Sequence, residues 1–194
     1  NDAGATFIIV NDTYLTLDTG LNFESIADYS IYIRVTDNNT VVDQFPPNLF
    51  SDKLITVNVK DSNDRPTWGE EGSLSFDVNE NSDLDSTFGE LQAEDEDGDS
   101  NLVYSIISGN GKINITENTG KLYVSGSIDY ETTESFNITV SVMDSGTLAD
   151  YTTSPPLSTN AEVVINVLNV NEMPYLDENS TVISVIENSE TDTY

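Results

Sequence analysis

Carboxylates are the only abundant side chains in this sequence whose type could do chemistry. Its 194 residues include 35 Asp and Glu against 6 Lys and Arg, with no His and no Cys. Zinc, haem and iron–sulfur centres therefore lose their usual ligands, and a serine or cysteine triad loses its base. Two kinds of chemistry remain: a pair of acids of the glycosidase type, and a set of oxygen ligands for a hard cation such as Ca²⁺.

The excess of acidic residues also limits the possible partners. The formal net charge is −29, so the chain repels phosphate backbones and anionic lipid, and we expect neither nucleic acid nor direct membrane contact. Hydrophobic residues make up 37% of the sequence, which is enough for a buried core. A folded chain of this charge repels itself unless cations neutralise part of it, which is a first indication of bound metal. Because no apolar run is long enough to span a membrane and no signal peptide is present, we expect any export signal or anchor outside this segment.

The sequence repeats itself with a period of about 107 residues. Residues 29–37 alternate between apolar and polar side chains and end in Asp37, and residues 136–144 repeat this pattern. Four further features recur in the same order and at the same spacing of 107 or 108 residues. Glu24 corresponds to Glu131, residues 55–59 to 163–167, residues 61–66 to 169–174, and residues 78–81 to 185–188. Such regular self-similarity indicates tandem structural units.

This period divides the chain into three units. We predict the C-terminal part of a first repeat at residues 1–64, a complete repeat at 65–172, and the start of a third at 173–194. The complete repeat contains seven short alternating runs separated by turn residues, and no run has a helical period: 74–78, 88–93, 102–106, 113–115, 122–124, 136–143 and 161–167. The predicted fold class is therefore all-β, with tandem Greek-key antiparallel β-sandwich repeats. We expect the chain to be part of a larger protein.

The complete repeat resembles the cadherin repeat. The resemblance is carried by Asn79-Glu80-Asn81, Asp95-Glu96-Asp97-Gly98, Ile128-Asp129-Tyr130-Glu131 and Asp144, in that order, and residues 61–66 are similar to the Asp-x-Asn-Asp-x-Pro linker of the family. It implies a non-enzymatic, calcium-dependent adhesion array that is extracellular, at a cell surface or secreted. Its partners would be other cadherin-like repeats of the same or neighbouring chains.

The resemblance also implies structural Ca²⁺ at each junction between consecutive repeats. For the first junction it implies side-chain ligands at eight positions, with backbone carbonyls from Arg65 and Asn101: Asn22, Glu24, Asp61, Asn63, Asp64, Asp95, Asp97 and Asp144. For the second junction it implies Glu80, Asp129, Glu131, Asn169, Asn171 and Glu172, with further ligands beyond Tyr194. Asp37 and Glu187 would serve other junctions. Asparagine replaces the usual aspartate of the first junction at Asn22. The second junction departs at both Asn169 and Glu172 and lacks the ligands beyond Tyr194, so we expect the first junction to bind calcium best.

Several of these features have plainer interpretations. An acidic run such as residues 94–99 is usually a solvated loop, so only Asp95 and Asp97 are predicted ligands within it. Trp68 is predicted to pack against the core rather than to exchange with a partner. The sequons at Asn11, Asn38, Asn114, Asn137 and Asn179 are no more numerous than chance predicts, although Asn114 and Asn137 should face solvent and could carry glycans.

Two other functions compete with adhesion. The first is a ligand-binding module, for instance for polysaccharide, in a large secreted or microbial surface protein, which flanking sequence would reveal. The second is a glycosidase, which needs two acids about 5–10 Å apart across a cleft. The repeat assigns the acidic pairs to junctions, and nothing in the sequence marks a cleft. We therefore expect no enzymatic activity.

Overall fold

The computed structural model describes residues 7–37, 49–69, 74–98, 101–148 and 152–174. The predictions for the third repeat beyond residue 174, for Glu187, and for the sequons at Asn38 and Asn179 lie outside these residues. Within the described ranges there is no helix that could cross a membrane.

Every regular element of the described chain is a β-strand. The first four strands lie before the linker at residues 61–66: β1 Phe7–Val10, β2 Tyr14–Leu17, β3 Asp28–Thr36 and β4 Phe50–Asn58. Seven strands follow it: β5 Leu74–Asn79, β6 Thr87–Glu90, β7 Val103–Ser108, β8 Ile113–Ile115, β9 Lys121–Val124, β10 Ser135–Met143 and β11 Ser158–Leu168. The predicted all-β class and the seven strands of the complete repeat are confirmed.

The seven later strands form two sheets around one core. A four-stranded sheet has the order β5-β11-β10-β7, and a three-stranded sheet has the order β6-β9-β8. Strand β5 pairs in parallel with β11, whereas the other pairs in these sheets are antiparallel. Alternating apolar residues of both sheets fill the core between them, as the period of two predicts: Ile113, Ile115, Leu122, Val124, Ile138, Val140, Val142, Val163, Ile165 and Val167.

Truncating this core is expected to destabilise the domain strongly. Leu122 is fully buried, so Leu122→Ala should lower the free energy of unfolding in urea by about 2–5 kcal/mol. Leu84 is 65% exposed, and Leu84→Ala removes the same atoms with an expected change within about 0.5 kcal/mol. Equal losses for the two variants would contradict the placement of the core.

The strands before the linker form two antiparallel pairs. β1 pairs with β2, and β3 pairs with β4 in the way that β10 pairs with β11. The Phe7 and Tyr29 rings meet edge to face with centroids 5.2 Å apart, which joins the two pairs. The boundaries of the proposed repeats remain a prediction.

Candidate metal centre at the junction

The linker between β4 and β5 is held against the acidic loop that follows β6. The Thr67 N–H donates to the Glu94 carbonyl oxygen at 2.7 Å, and the Glu94 N–H donates to the Thr67 carbonyl oxygen at 2.9 Å. Pro66, immediately before this bridge, is fully buried. The linker therefore lies in a fixed position beside Asp95 and Asp97.

Three carboxylates from separate segments converge at this junction. Glu24 lies between β2 and β3, Asp61 lies in the linker, and Asp97 lies in the loop after β6. One carboxylate oxygen of each lies within 4.8 Å of the other two. The fold thus brings together the predicted ligands Glu24, Asp61 and Asp97, although the first and the last are 73 positions apart in the sequence.

Hydrogen bonds hold Asp97 beside Asp64 and Asp95. Asp97 Oδ2 accepts a hydrogen bond from the Asp64 N–H at 2.8 Å, and its own N–H donates to Asp95 Oδ1 at 3.1 Å. Its Oδ1 is buried and has no hydrogen-bond partner. A buried carboxylate oxygen without a donor is costly, because it has lost water and gained nothing in return. That oxygen is available to a cation.

The environment of Glu24 and of Asp97 is unfavourable to their negative charge. Burial raises the pKa of Glu24, and the carboxylates of Asp61, Asp97 and Asp64 raise it further. Burial likewise raises the pKa of Asp97, and Asp61 and Asp64 add to the increase. Among the described residues a salt bridge joins Arg34 to Asp52, which both lie outside this cluster.

Other predicted ligands surround the cluster. Asp144 is buried; its Oδ1 accepts from the Gly146 N–H at 2.8 Å, and its Oδ2 accepts from Asn63 Nδ2 at 3.2 Å, which ties the linker to the end of β10. Asn22 Oδ1 accepts from the Ser25 N–H at 2.7 Å. The amide nitrogen of Asn22 donates to Glu96 Oε1 at 2.8 Å, so this side chain contacts Glu96.

The side chain of Arg65 makes a contact at the junction that was not predicted, since only its backbone carbonyl was expected to take part. Its Nη1 donates to the Ser158 carbonyl oxygen at 2.8 Å, at the start of β11. Trp68 packs against the core beside Tyr104, with ring centroids 6.0 Å apart, as predicted. Both contacts fix the linker on the sandwich that follows it.

A second carboxylate cluster lies at the other end of the complete repeat. One oxygen each of Glu80, Asp129 and Glu131 lie within 4.8 Å of one another. Glu80 is buried at the end of β5, where its two oxygens accept from the Val170 N–H at 2.7 Å and the Tyr130 N–H at 2.9 Å. These bonds lower the pKa of Glu80. A hydrogen bond from the Thr132 hydroxyl, with one from its N–H, lowers the pKa of Asp129.

The remaining predicted ligands of the second junction lie at its exposed edge. Asn169 Nδ2 donates to Glu131 Oε1 at 3.2 Å, and Asn81 Nδ2 donates to Glu172 Oε1. Asn171 is exposed. Two contacts were not predicted: that of Glu172 with Asn81 and that of Asn22 with Glu96. The one sequence signal for these contacts is that Asn81 and Glu96 lie beside predicted ligands in the chain.

The donor chemistry of the first junction fits a calcium ion. Ca²⁺ takes about six to eight oxygen ligands from carboxylates, amides and carbonyls, and this junction offers oxygens of those kinds with an excess of negative charge. The second cluster fits as well, although hydrogen bonds already satisfy both oxygens of Glu80.

Comparison with known proteins places this arrangement in a family. Residues 74–168 match the family model described as Cadherin domain. The chain is 32% identical over 131 residues to neural-cadherin of Drosophila melanogaster, covering 66% of this chain, and 27% identical over 176 residues to protocadherin Fat 2 of Mus musculus, covering 90%. It spans about 4% of the length of these two relatives.

The fold is similar to that of solved cadherin structures. Extracellular cadherin domains 1–5 of protocadherin gamma B2 align over 88% of this chain and 32% of that chain, with a TM-score of 0.58 and 24% identity. The seven-stranded sandwich, the junction carboxylates and the family match agree with one another. Residues 74–168 of the chain therefore form a cadherin domain.

Proposed function

We propose that this chain is a segment of an extracellular adhesion protein whose consecutive repeats are held in line by Ca²⁺ at their junctions. The proposal is carried by one observation: Glu24, Asp61 and Asp97 come from three separate segments and place their carboxylate oxygens within 4.8 Å of one another. Such an arrangement is unfavourable in isolation, because like charges at short range repel.

The predicted ligands of the junction come from three segments of the chain. Glu24 belongs to the chain before the linker, Asp61 and Asp64 belong to the linker, and Asp95 and Asp97 belong to the sandwich after it. A bound Ca²⁺ would supply positive charge and shared coordination to all three segments. The hydrogen bonds from Asn63 to Asp144 and from Asp64 to Asp97 hold the linker ligands in place beforehand.

The mechanism that follows is mechanical. With the carboxylates unneutralised, repulsion among Glu24, Asp61 and Asp97 favours states in which the segments separate, and the units can bend about the linker. With the charge neutralised, the same side chains connect the units and resist bending. The stiffened array would then present adhesive surfaces at a cell surface or in a secreted protein, to other cadherin-like repeats.

Small-angle X-ray scattering tests this mechanism. In 1 mM CaCl₂ we expect a narrow distribution of interatomic distances, and in excess chelator we expect a broader distribution and greater interdomain flexibility. In calcium, Asp97→Asn should broaden the distribution relative to that of the wild-type chain. Glu94→Gln removes the same charge from the same exposed loop and should retain the calcium-dependent profile. Scattering profiles that coincide with and without calcium would rule out the stiffening mechanism.

A further inference from the structure

Strands β3 and β4 have two sides, and the cadherin domain shows which of them faces outwards. Ile31 and Ile33 of β3 match Ile138 and Val140 of β10, which are buried in the sandwich core. Successive side chains of a strand point to opposite sides of the sheet. Tyr32 and its alternating neighbours therefore lie on the side that corresponds to the outer surface of the sandwich.

The outer side of β3 and β4 carries large apolar groups. Tyr32 is 78% exposed, Phe50 is 60% exposed and Leu54 is 48% exposed. With Arg34 and Asp52 between them, these three residues form what we call the aromatic face. The matching positions of β10 and β11 carry only polar side chains: Thr139, Ser141, Ser158, Asn160 and Glu162. The aromatic face is thus a feature of this strand pair and not of the sandwich in general.

The charges on the aromatic face cancel. Arg34 Nε and Nη2 donate to the two carboxylate oxygens of Asp52, each at 2.7 Å, and the guanidinium lies 4.1 Å from the centroid of the Phe50 ring. Two copies of a chain with a net charge of −29 repel each other over most of their surfaces. A locally neutral face with exposed aromatic groups is where a second copy can approach with the least repulsion.

The pairing register makes this face complementary to itself. Arg34 lies directly opposite Asp52, and Tyr32 lies directly opposite Leu54. Consider a two-fold axis that runs parallel to the strands, midway between two facing copies and centred between β3 and β4. Rotation about this axis places β3 of one copy over β4 of the other. It therefore places Arg34 over the partner's Asp52 and Tyr32 over the partner's Leu54. One symmetry operation satisfies both the charges and the apolar groups.

We propose that the aromatic face binds the same face of a second copy of this chain about such a two-fold axis. The biological use of this contact rests on the proposed adhesive function. Each strand of the face has nine residues and is therefore roughly 30 Å long. Two such strands offer far less than the ~800 Å² per partner of a typical stable complex, so the dimer is weak and reversible. In a long array, many such contacts would act together.

Sedimentation of the 194-residue chain over a concentration series tests the dimer. In 150 mM NaCl and 1 mM CaCl₂ we expect a reversible monomer–dimer equilibrium. The double variant Tyr32→Ser with Leu54→Thr should weaken it at least tenfold. Val35→Ser changes a residue that is 68% exposed on the opposite side of β3, and it should leave the equilibrium unchanged. A wild-type chain that stays monomeric at all concentrations, or a dimer weakened equally by Val35→Ser, would overturn the proposal.

A charge exchange tests the two-fold axis itself. Arg34→Asp gives a face with two acids, and Asp52→Arg gives a face with two bases, so neither variant should dimerise alone. An equimolar mixture should form a heterodimer, because each acid then faces a base. If the mixture stays monomeric while the wild type dimerises, the proposed contact is wrong. Thermal melting in calcium shows whether each variant is folded.

The dimer and the proposed calcium-dependent junction can be tested independently of each other. Phe50 and Arg34 lie at the end of the strand pair away from the linker, so the dimer should persist in excess chelator. A dimer that persists while scattering shows no effect of calcium would remove the proposed junction mechanism alone. Calcium-dependent scattering without any dimer would remove the aromatic-face contact alone.

Discussion

Replacing Asp97 by asparagine is expected to weaken calcium binding at the first junction by at least about tenfold, or ~1.4 kcal/mol. Asp97 supplies one oxygen to the cluster with Glu24 and Asp61, and its buried Oδ1 has no hydrogen-bond partner. The substitution keeps the shape of the side chain and its acceptor for the Asp64 N–H, but it removes the charge. The loss should therefore arise from coordination and not from a collapsed loop.

Isothermal titration with CaCl₂ measures this effect. Glu94→Gln is the matched control, since it removes one negative charge from the same loop at an exposed position outside the cluster. Both variants remove one negative charge from the same loop, so a larger loss for Asp97→Asn indicates direct contact with the ion. Asp64→Asn should weaken binding in the same direction as Asp97→Asn. Equal affinities for Asp97→Asn and Glu94→Gln would show that Asp97 is not a ligand.

The sequence predicted the sandwich because alternation marks both a strand and its buried side. Residues 136–142 alternate strictly, and Ile138, Val140 and Val142 are buried in β10 as the period requires. Alternation does not identify the neighbour of a strand, so the parallel pairing of β5 with β11 could not be predicted from it. Pairing of that kind depends on the path of the whole domain between the two strands.

The limits of two strands were less predictable for local reasons. Residues 88–93 were predicted as one strand, but β6 ends at Glu90, and the Leu91 N–H donates to the Gly120 carbonyl oxygen at 2.9 Å outside the strand pairing. Strand β4 begins at Phe50, five residues before the predicted run at 55–59. Polar Ser51 and Asp52 together with Lys53 interrupt the apolar pattern there, so backbone pairing alone defines the start of the strand.

The candidate site was predictable as a set of positions and not as a set of contacts. The resemblance to the cadherin repeat implied that Glu24, Asp61 and Asp97 lie at one junction, and the structure brings them together. The contact of Asn22 with Glu96 could not be predicted, because a side-chain amide takes its orientation from neighbours that are distant in sequence. The ligand roles themselves remain a prediction that the calcium titrations test.

Calcium is expected to raise the melting temperature of the chain strongly. A ligand present at about one hundred times its Kd stabilises the folded state by about 2.7 kcal/mol per site. For a domain of about 100 residues this corresponds to an increase of roughly 10 °C or more. Melting curves recorded by circular dichroism in 1 mM CaCl₂ and in excess chelator measure the difference. Sodium chloride at equal ionic strength is the control for general screening of the net charge.

The pH dependence in chelator should show which carboxylates are responsible. The pKa of Glu24 and of Asp97 is raised in the folded state above the ordinary values of 4.5 and 3.8, so the folded chain binds protons there more tightly than the unfolded chain. Protonation therefore relieves both the burial of these charges and their repulsion, so stability in chelator should increase as the pH falls from 7 towards their ordinary pKa values. The pKa of Glu80 and of Asp129 is lowered, so the stability that these two contribute should be lost as the pH falls below about 4.

In calcium, stability should instead decrease as the pH falls from 7 to 5. Protons then compete with the ion for Glu24 and Asp97, so lowering the pH from 7 to 5 should reduce the stabilisation by calcium. Asp97→Asn should flatten the increase between pH 7 and pH 5 in chelator, whereas Glu94→Gln should preserve it. A wild-type chain whose stability in chelator falls steadily from pH 7 to pH 4 would contradict the mutual repulsion of the junction carboxylates. Without that repulsion, there would be no reason for the units to separate when calcium is removed.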